Sequence, residues 1–424
     1  MKIKSLITKL SLFLALCSLL FSCKNNNEHI ISKPEIGKIP DEKLTAEILW
    51  SFGRLGEFAV SPDEKTIAYT ITYYDIAENK GNTEIYLMDI NGSNKRQLTK
   101  TAKSEYNIAW LTDKILIYLY SGKLYKKEIH QDNAEEIVGA EGLEGFKISP
   151  DGKKILFAKC VPANFSKAEP QLFEGLDKTT GRIIEDLAYR HWDGWVDEIP
   201  HLFVADFDLK GIANEKDLLE GQMFEAPSRP WGGMEETDWS TNSKKVAYCV
   251  REKIGKEYAF STNTDIFIYD LEEQKSHNIS AFVKGYDKNP RFSVDGKSIV
   301  WEAMRRDGYE ADHIQAILMK NFTVKEPSLK ESNKVVLNAE EMIVKTYEAD
   351  ITSMQWSDDG SKIYFLAPWQ GRSDIFTWDV KSGDITRITN GIHEYTAFQK
   401  LKNGGFIGSQ MSTMYPAEIF SIDE

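Results

Sequence analysis

Apolar residues recur at every second position in short runs along this chain. The clearest runs are NTEIYLMDINGSNKRQLT from Asn82, SGKLYKKEIHQDNAEEIV from Ser121, NTDIFIYDLEEQKSHNIS from Asn263, RSDIFTWDVKSGDITRIT from Arg372 and PAEIFSIDE from Pro416. A period of two sets one face of a strand on a core and the other toward solvent. Most of these runs follow a second phrase, a turn of the Ser-x-Asp-Gly-Lys kind leading into an apolar strand. It reads SPDEKTIAYT at Ser61, ISPDGKKILFA at Ile148, WSTNSKKVAYCV at Trp239, FSVDGKSIVWEA at Phe292 and WSDDGSKIYFLA at Trp356. Weaker copies are AWLTDKILIYLY at Ala109 and FQKLKNGGFIGSQ at Phe398. Asp-Gly and Asn-Gly pairs supply the positive φ that tight hairpins need.

Together the phrases form about seven units. Each unit predicts a four-stranded antiparallel blade. One blade cannot bury both of its faces, but blades stacked around an axis can. The repeat therefore predicts an all-β fold, a β-propeller of about seven four-stranded blades over residues 44–424. Its spacing of roughly 40–60 residues suits such repeats. The copies at Ile148 and Trp239 are about ninety residues apart, which predicts an insertion near 160–205. The one helix expected lies near Pro40 to Leu49.

The N-terminus sets a compartment. Lys2, Lys4 and Lys9 precede an apolar run from Leu10 to Phe21. That run is short for a membrane span, which needs about twenty apolar residues, and it fits a signal peptide over residues 1–22. Leu20-Phe21-Ser22-Cys23 reads as a lipobox, with Phe21 an unusual residue at its position. Lipidation of Cys23 would hold the protein on a membrane without a spanning helix. Residues 23–43 are polar and read as a tether. The expectation is an exported chain, lipid-anchored in the bacterial envelope at the outer membrane and facing the periplasm. The alternative is an ordinary secretory signal with an incidental cysteine.

Formal net charge is −13 and there is no long Lys/Arg run, so no nucleic-acid partner is expected. Past Cys23 the cysteines are Cys160 and Cys249, each ending an apolar run and each expected as a small buried hydrophobe. A disulfide between them stays open at this point. There is no Cys-x-x-Cys, and the seven histidines fit no His-Glu-x-x-His helix; no metal or cofactor is expected. The turn aspartates Asp151, Asp295 and Asp359 read as structural, accepting local backbone hydrogen bonds.

Two longer segments carry more information than the turns. They are YRHWDGWVDEIPHLFVADFD, Tyr189 to Asp208, and GYDKNPRFSVDGKSIVWEAMRRDGYEADHIQAILM, Gly285 to Met319. With STNTDIFIYD from Ser261, they resemble the propeller of bacterial prolyl-oligopeptidase (S9) family serine peptidases, nearest the acylaminoacyl-peptidase and dipeptidyl-peptidase V branch. The resemblance covers nearly everything from Leu44 to Glu424 and implies a peptide substrate, with a propeller over the mouth of an α/β-hydrolase domain that uses a Ser-Asp-His triad. The hydrolase's own signature does not occur in these 424 residues. The Gly-x-Ser triplets at Gly296-Lys297-Ser298 and Gly371-Arg372-Ser373 are followed two residues on by Val300 and Ile375, not glycine. No catalytic residue is expected, and the chain alone is expected not to hydrolyse peptides.

Two loops are candidates for substrate or domain contact. The first holds Arg190, His191, Trp192, Asp193 and Trp195. Its indoles and carboxylate either face a peptide or simply pack the insertion against neighbouring blades. The second holds Arg305, Arg306, Tyr309, Glu310 and Asp312. Its arginines could grip a substrate carboxylate, bridge to a hydrolase domain, or pair with Glu310 or Asp312 in a solvated turn. Glu235-Glu236 reads as a solvated turn before a strand. The expected function is the substrate-gating, peptide-binding propeller of an S9 peptidase, partnered by a separate hydrolase domain. The alternative is a free-standing envelope propeller that binds a protein, comparable to the Tol-system propeller. A metal-dependent lactonase-type propeller is a distant third.

Overall fold

The computed structural model describes residues 30–34, 43–139, 141–163, 166–168, 175, 178–187, 190–325 and 336–423. A short helix, α1, spans Ala46–Ser51, capped by the Thr45 hydroxyl. Seven antiparallel blades follow in chain order, the last two joined into one seven-stranded sheet by a parallel bridge between Ser373 and Glu394. Six have four main strands: blade 1 from Arg54–Val60 to Arg96–Gln97, blade 2 from Glu105–Trp110 to Ala134–Ile137, blade 3 from Leu143–Ile148 to Ile212–Asp217, blade 4 from Thr237–Trp239 to Lys275–Asn278, blade 5 from Asp287–Phe292 to Glu341–Lys345, and blade 6 from Thr352–Trp356 to Ile385–Arg387. Blade 7 has three, Glu394–Lys400, Phe406–Ser412 and Tyr415–Ile422. The fold is a seven-bladed β-propeller.

Why the ring forms is visible in the core. Seven apolar clusters each join two consecutive blades. In blade 3, Ile155 and Phe157 pack against Leu119 and Ile137 of blade 2, while Leu156 and Ala158 pack against Val246 and Tyr248 of blade 4. Alternate residues of one strand thus serve two neighbours, which is what a period of two permits. The seventh cluster closes the circle with Val60, Ile67, Tyr69 and Met88 of blade 1 against Leu401 and Ile407 of blade 7. The expected fourth strand of blade 7 is not found among the described residues. Side chains close the ring there instead.

Polar side chains near the axis lock each junction. Inner-strand amides are accepted by the preceding blade: Ile108 by Glu57 at 3.1 Å, Phe146 by Asn107 at 2.6 Å, Phe292 by Asp238 at 2.8 Å, Ser353 by Glu302 at 2.8 Å and Lys400 by Gln355 at 3.2 Å. Between blades 3 and 4 the ammonium of Lys147 instead donates to the Thr237 carbonyl. Three indoles reach back a blade: Trp110 to the Ala59 carbonyl, Trp239 to Lys147 and Trp356 to Arg291.

The Ser-x-Asp turns have one design. Ser149, Ser293 and Ser357 hydroxyls donate to Asp151, Asp295 and Asp359, and each carboxylate also accepts the amide two residues on. Asp63 and Asn242 do the same in the copies at Ser61 and Ser240.

The expectation of a single helix is corrected by α2, Gly255–Phe260, and by a 3₁₀ turn at Met234–Glu236. Both are too short for helical periodicity to register. The cysteines also differ from a symmetric reading. Cys249 is buried, whereas Cys160 is half-buried and both thiols are free. Among the described residues no helix is long and apolar enough to cross a membrane.

Candidate functional site

In an antiparallel meander, the turns after first and third strands share one face. The loops between second and third strands, and the links between blades, share the other. The Ser-x-Asp turns occupy the first face. The second gathers the blade 3 insertion, α2 of blade 4 and the blade 5 loop at 304–314, so topology sets both candidate loops on one side of the ring.

Hydrogen bonds knit these three. The insertion runs between strands Lys154–Pro162 and Glu198–Phe207. Its Asp186 carboxylate accepts the Lys256 amide of α2 at 3.2 Å. At the other end of α2, Asp307 of blade 5 accepts the Ser261 hydroxyl at 2.7 Å and the Thr262 amide at 2.8 Å, and Gly308 donates to the Thr262 hydroxyl at 3.0 Å.

The HWDGW segment is a two-residue hairpin, with Arg190 opposite Trp195 and His191 opposite Gly194. Trp195 lies beneath two guanidinium groups, Arg182 at 4.3 Å and Arg190 at 5.1 Å from its ring centre. Arg182 pairs with Asp197, and Arg190 donates to the Asp193 carbonyl at 2.8 Å. Trp192 sits at the turn with φ of 51° and is 73% exposed. A bulky side chain at positive φ is a true outlier, and such strain concentrates at functional positions. Its ring meets His191 at 5.0 Å and Trp231 edge-on at 5.7 Å. The reading in which this tryptophan packs the insertion onto the blades is therefore corrected: Trp192 stands out in solvent. Trp231, 77% exposed, was not singled out by sequence, because nothing in WGGMEETDW marks it as facing Trp192.

The second loop is paired within itself. Arg306 meets Asp312 at 2.7 Å, and Asp312 also accepts the amides of Arg305 and Arg306. Those contacts, the Arg306 bond first, hold the Asp312 carboxyl down at about 2. Tyr309 lies 4.0 Å under the Arg306 guanidinium and is exposed, as is Glu310.

Between the hairpin and α2 opens a cavity of about 520 Å³. Leu187, Trp195, Met223, Ile254 and Tyr258 give it apolar walls, and Arg190, Glu198, Glu225 and Arg229 give it charge. Tyr258 donates from its hydroxyl toward Glu225 at 2.9 Å and the Arg229 carbonyl at 2.7 Å. Arg229 reaches Glu144 at 2.9 Å and the Cys160 sulfur at 3.1 Å. Burial and the Glu144 carboxylate push the Cys160 thiol up to about 12. Cys160 is thus a polar contact of Arg229, behind the cavity lining, rather than a small hydrophobe.

Glu236 also departs from expectation. It is buried, accepts the Ser228 amide at 2.7 Å and hydroxyl at 2.6 Å, and lies 3.4 Å from Lys288. Burial pushes its pKa up, against the pull of Lys288. The 3₁₀ turn directs the second acid inward while Glu235 stays in solvent. No group of three or more His, Cys, Asp and Glu residues among the described positions could hold a metal.

No protein-family profile matches the chain. It is 36% identical over 396 residues to dipeptidyl-peptidase 5 of Porphyromonas gingivalis, covering 92% of this chain and 55% of that protein. The same enzyme of Porphyromonas endodontalis is 33% identical over 390 residues, covering 90% and 53%. The β-propeller domain of the Trilobed protease from Pyrococcus furiosus superposes with a TM-score of 0.54 at 15% identity, over 88% of this chain and 96% of that domain. The chain is a propeller of the prolyl-oligopeptidase (S9) family. An acylaminoacyl peptidase solved with Z-Gly-Gly-Phe-chloromethyl ketone has the same fold, with a TM-score of 0.61 at 13% identity, 88% of this chain and 52% of that one. This S9 propeller spans about half the length of the curated relatives it matches. Cys23 and the leader lie outside the described residues.

Proposed function

We propose that this S9 propeller admits and binds peptide for a serine-peptidase hydrolase domain, and that the face built by the blade 3 insertion, α2 and the 304–314 loop is the side turned toward peptide and hydrolase. The observation that carries this is the cavity of about 520 Å³ between Trp195 and Tyr258, on the same face as the exposed, strained Trp192. Apolar walls with a few placed charges suit side chains of a short peptide. The exposed indoles of Trp192 and Trp231 suit contact with a second domain.

The reading also includes export and a lipid on Cys23, which would hold the protein at the outer membrane facing the periplasm. Its support is the lipobox and the polar stretch after it. Metabolic labelling with a palmitate analogue tests this part: label on the wild type and none on Cys23→Ser supports it, and an unlabelled wild type refutes it.

The central experiment cross-links the protein through a photoreactive group placed at Trp192 or Tyr309. Capture of a hydrolase-domain polypeptide or of supplied peptide supports the proposal. Capture only from a control group placed at Asp295 on the Ser-x-Asp face, or of an unrelated envelope protein instead, refutes it.

A further inference from the structure

We infer that Arg251 reads a carboxylate of the bound peptide beside this cavity, between blades 4 and 5. This deepens the peptide-binding reading and rests on it. Arg251 follows strand Lys245–Val250 directly, on the face that carries the cavity, and is only 6% exposed. Its guanidinium lies 4.2 Å from the Tyr258 ring centre and 5.6 Å from that of Tyr286. One nitrogen, Nη2, donates to the Tyr286 hydroxyl at 3.1 Å, while the buried Nε has no hydrogen-bond partner. Among the described residues no carboxylate stands within ion-pair distance of it. Arg182, Arg229, Arg306 and Arg372 all meet a carboxylate at 3.0 Å or less.

A buried cation without a counter-ion is costly, so its retention needs a reason. The surroundings supply one. On the same tyrosine ring sits a second cation, Lys288, 4.5 Å from the centre of Tyr286. The acid near Lys288, Glu236, is already engaged by Ser228. Two cations thus bracket one aromatic ring in a chain whose net charge is −13. The cavity adjoins this group through Tyr258, Glu225 and Lys253, and Glu225 pairs with Arg251 through the backbone. A guanidinium set between two rings can present its fork to an oxyanion, as a lysine ammonium cannot. The carboxylate could be the α-carboxylate of a short peptide or the side chain of Asp or Glu.

Binding of three hexapeptides to the full chain, followed by calorimetry, tests this. The first is neutral with a free C-terminal acid, the second is the same peptide amidated, and the third is amidated with one glutamate. Wild type is expected to bind the first or the third at least tenfold more tightly than the second, and which of the two wins identifies the source. Arg251→Met should erase the preference. Arg251→Lys, which keeps the charge and loses the fork, should reduce it at least threefold, and decides the matter should Arg251→Met fail to fold. A preference unchanged in a folded Arg251 variant, or equal binding of all three peptides by wild type, overturns the assignment while leaving peptide binding intact. No binding of any peptide overturns both.

Discussion

The Gln399 side chain accepts the Val60 amide at 3.0 Å across 339 residues of sequence. With the Lys402 amide donating to Glu64 at 2.8 Å, it fastens blade 7 to blade 1 where no strand crosses.

Replacing Gln399 by Ala is therefore expected to leave the Val60 amide half-buried and unpaired. That omission costs about 1–3 kcal/mol. Urea unfolding should show the loss, and limited proteolysis should first cut in blade 1 or blade 7. Wild-type stability for this variant would show that the apolar cluster around Leu401 and Ile407 closes the ring unaided.

Gly360 takes φ of 70° in the blade 6 turn, and nothing lies within 4 Å of where a Cβ would be. Gly360→Ala should cost about 1 kcal/mol from backbone strain alone. Glu64 and Ser243 hold the matching slot at φ of 57° and 59°. Each compensates with a bond to a neighbouring blade, Glu64 to the Lys402 amide and Ser243 to that of Asp151.

Glu84 and Glu105 form a buried acidic pair where blade 1 meets blade 2, bound by Thr99, Thr101 and Asn82. Burial, with Glu84 beside it, pushes Glu105 up to about 8 from an ordinary 4.5. Between those values the folded pair keeps a proton that the unfolded chain has released. Stability from this source is thus fullest at acid pH near 4.5 and falls as pH rises to about 8. Asp287, pushed up to about 8 by burial between blades 4 and 5, acts in the same direction. Urea midpoints at pH 5 and pH 8.5 should differ in wild type, less in Glu105→Gln and least in Glu105→Gln with Asp287→Asn.

Trp192→Gly relieves the positive φ and removes little buried surface, since the indole is exposed. Strain of this kind is on the order of 1–2 kcal/mol, so the urea midpoint should not fall. Binding of peptide or hydrolase domain should weaken at least fivefold. A variant that binds as wild type would show Trp192 to be idle.

The repeat phrases were enough to specify blades, because a hairpin's alternation and its Ser-x-Asp turn are local. Ser149 and Asp151, for instance, are two residues apart, and their bond needs no other blade. The segments at Tyr189 and Gly285 likewise carry the family resemblance in their own residues, independent of any tertiary contact. Glu236 was misread because solvated and buried acids look alike in sequence. Only the Ser228 amide, brought close by the link between blades 3 and 4, tells them apart.

By itself, then, the sequence determined the strands, their turns, the order of seven modules and the two loops worth watching. Tertiary structure alone decided that those loops share a face, that Trp192 faces Trp231, and that Arg251 is buried without an ion-paired acid among the described residues. The physical reason is range. Strand alternation is written over two residues, whereas burial, ion pairing and ring closure depend on which blade stands next door, and that neighbour can be 339 residues away.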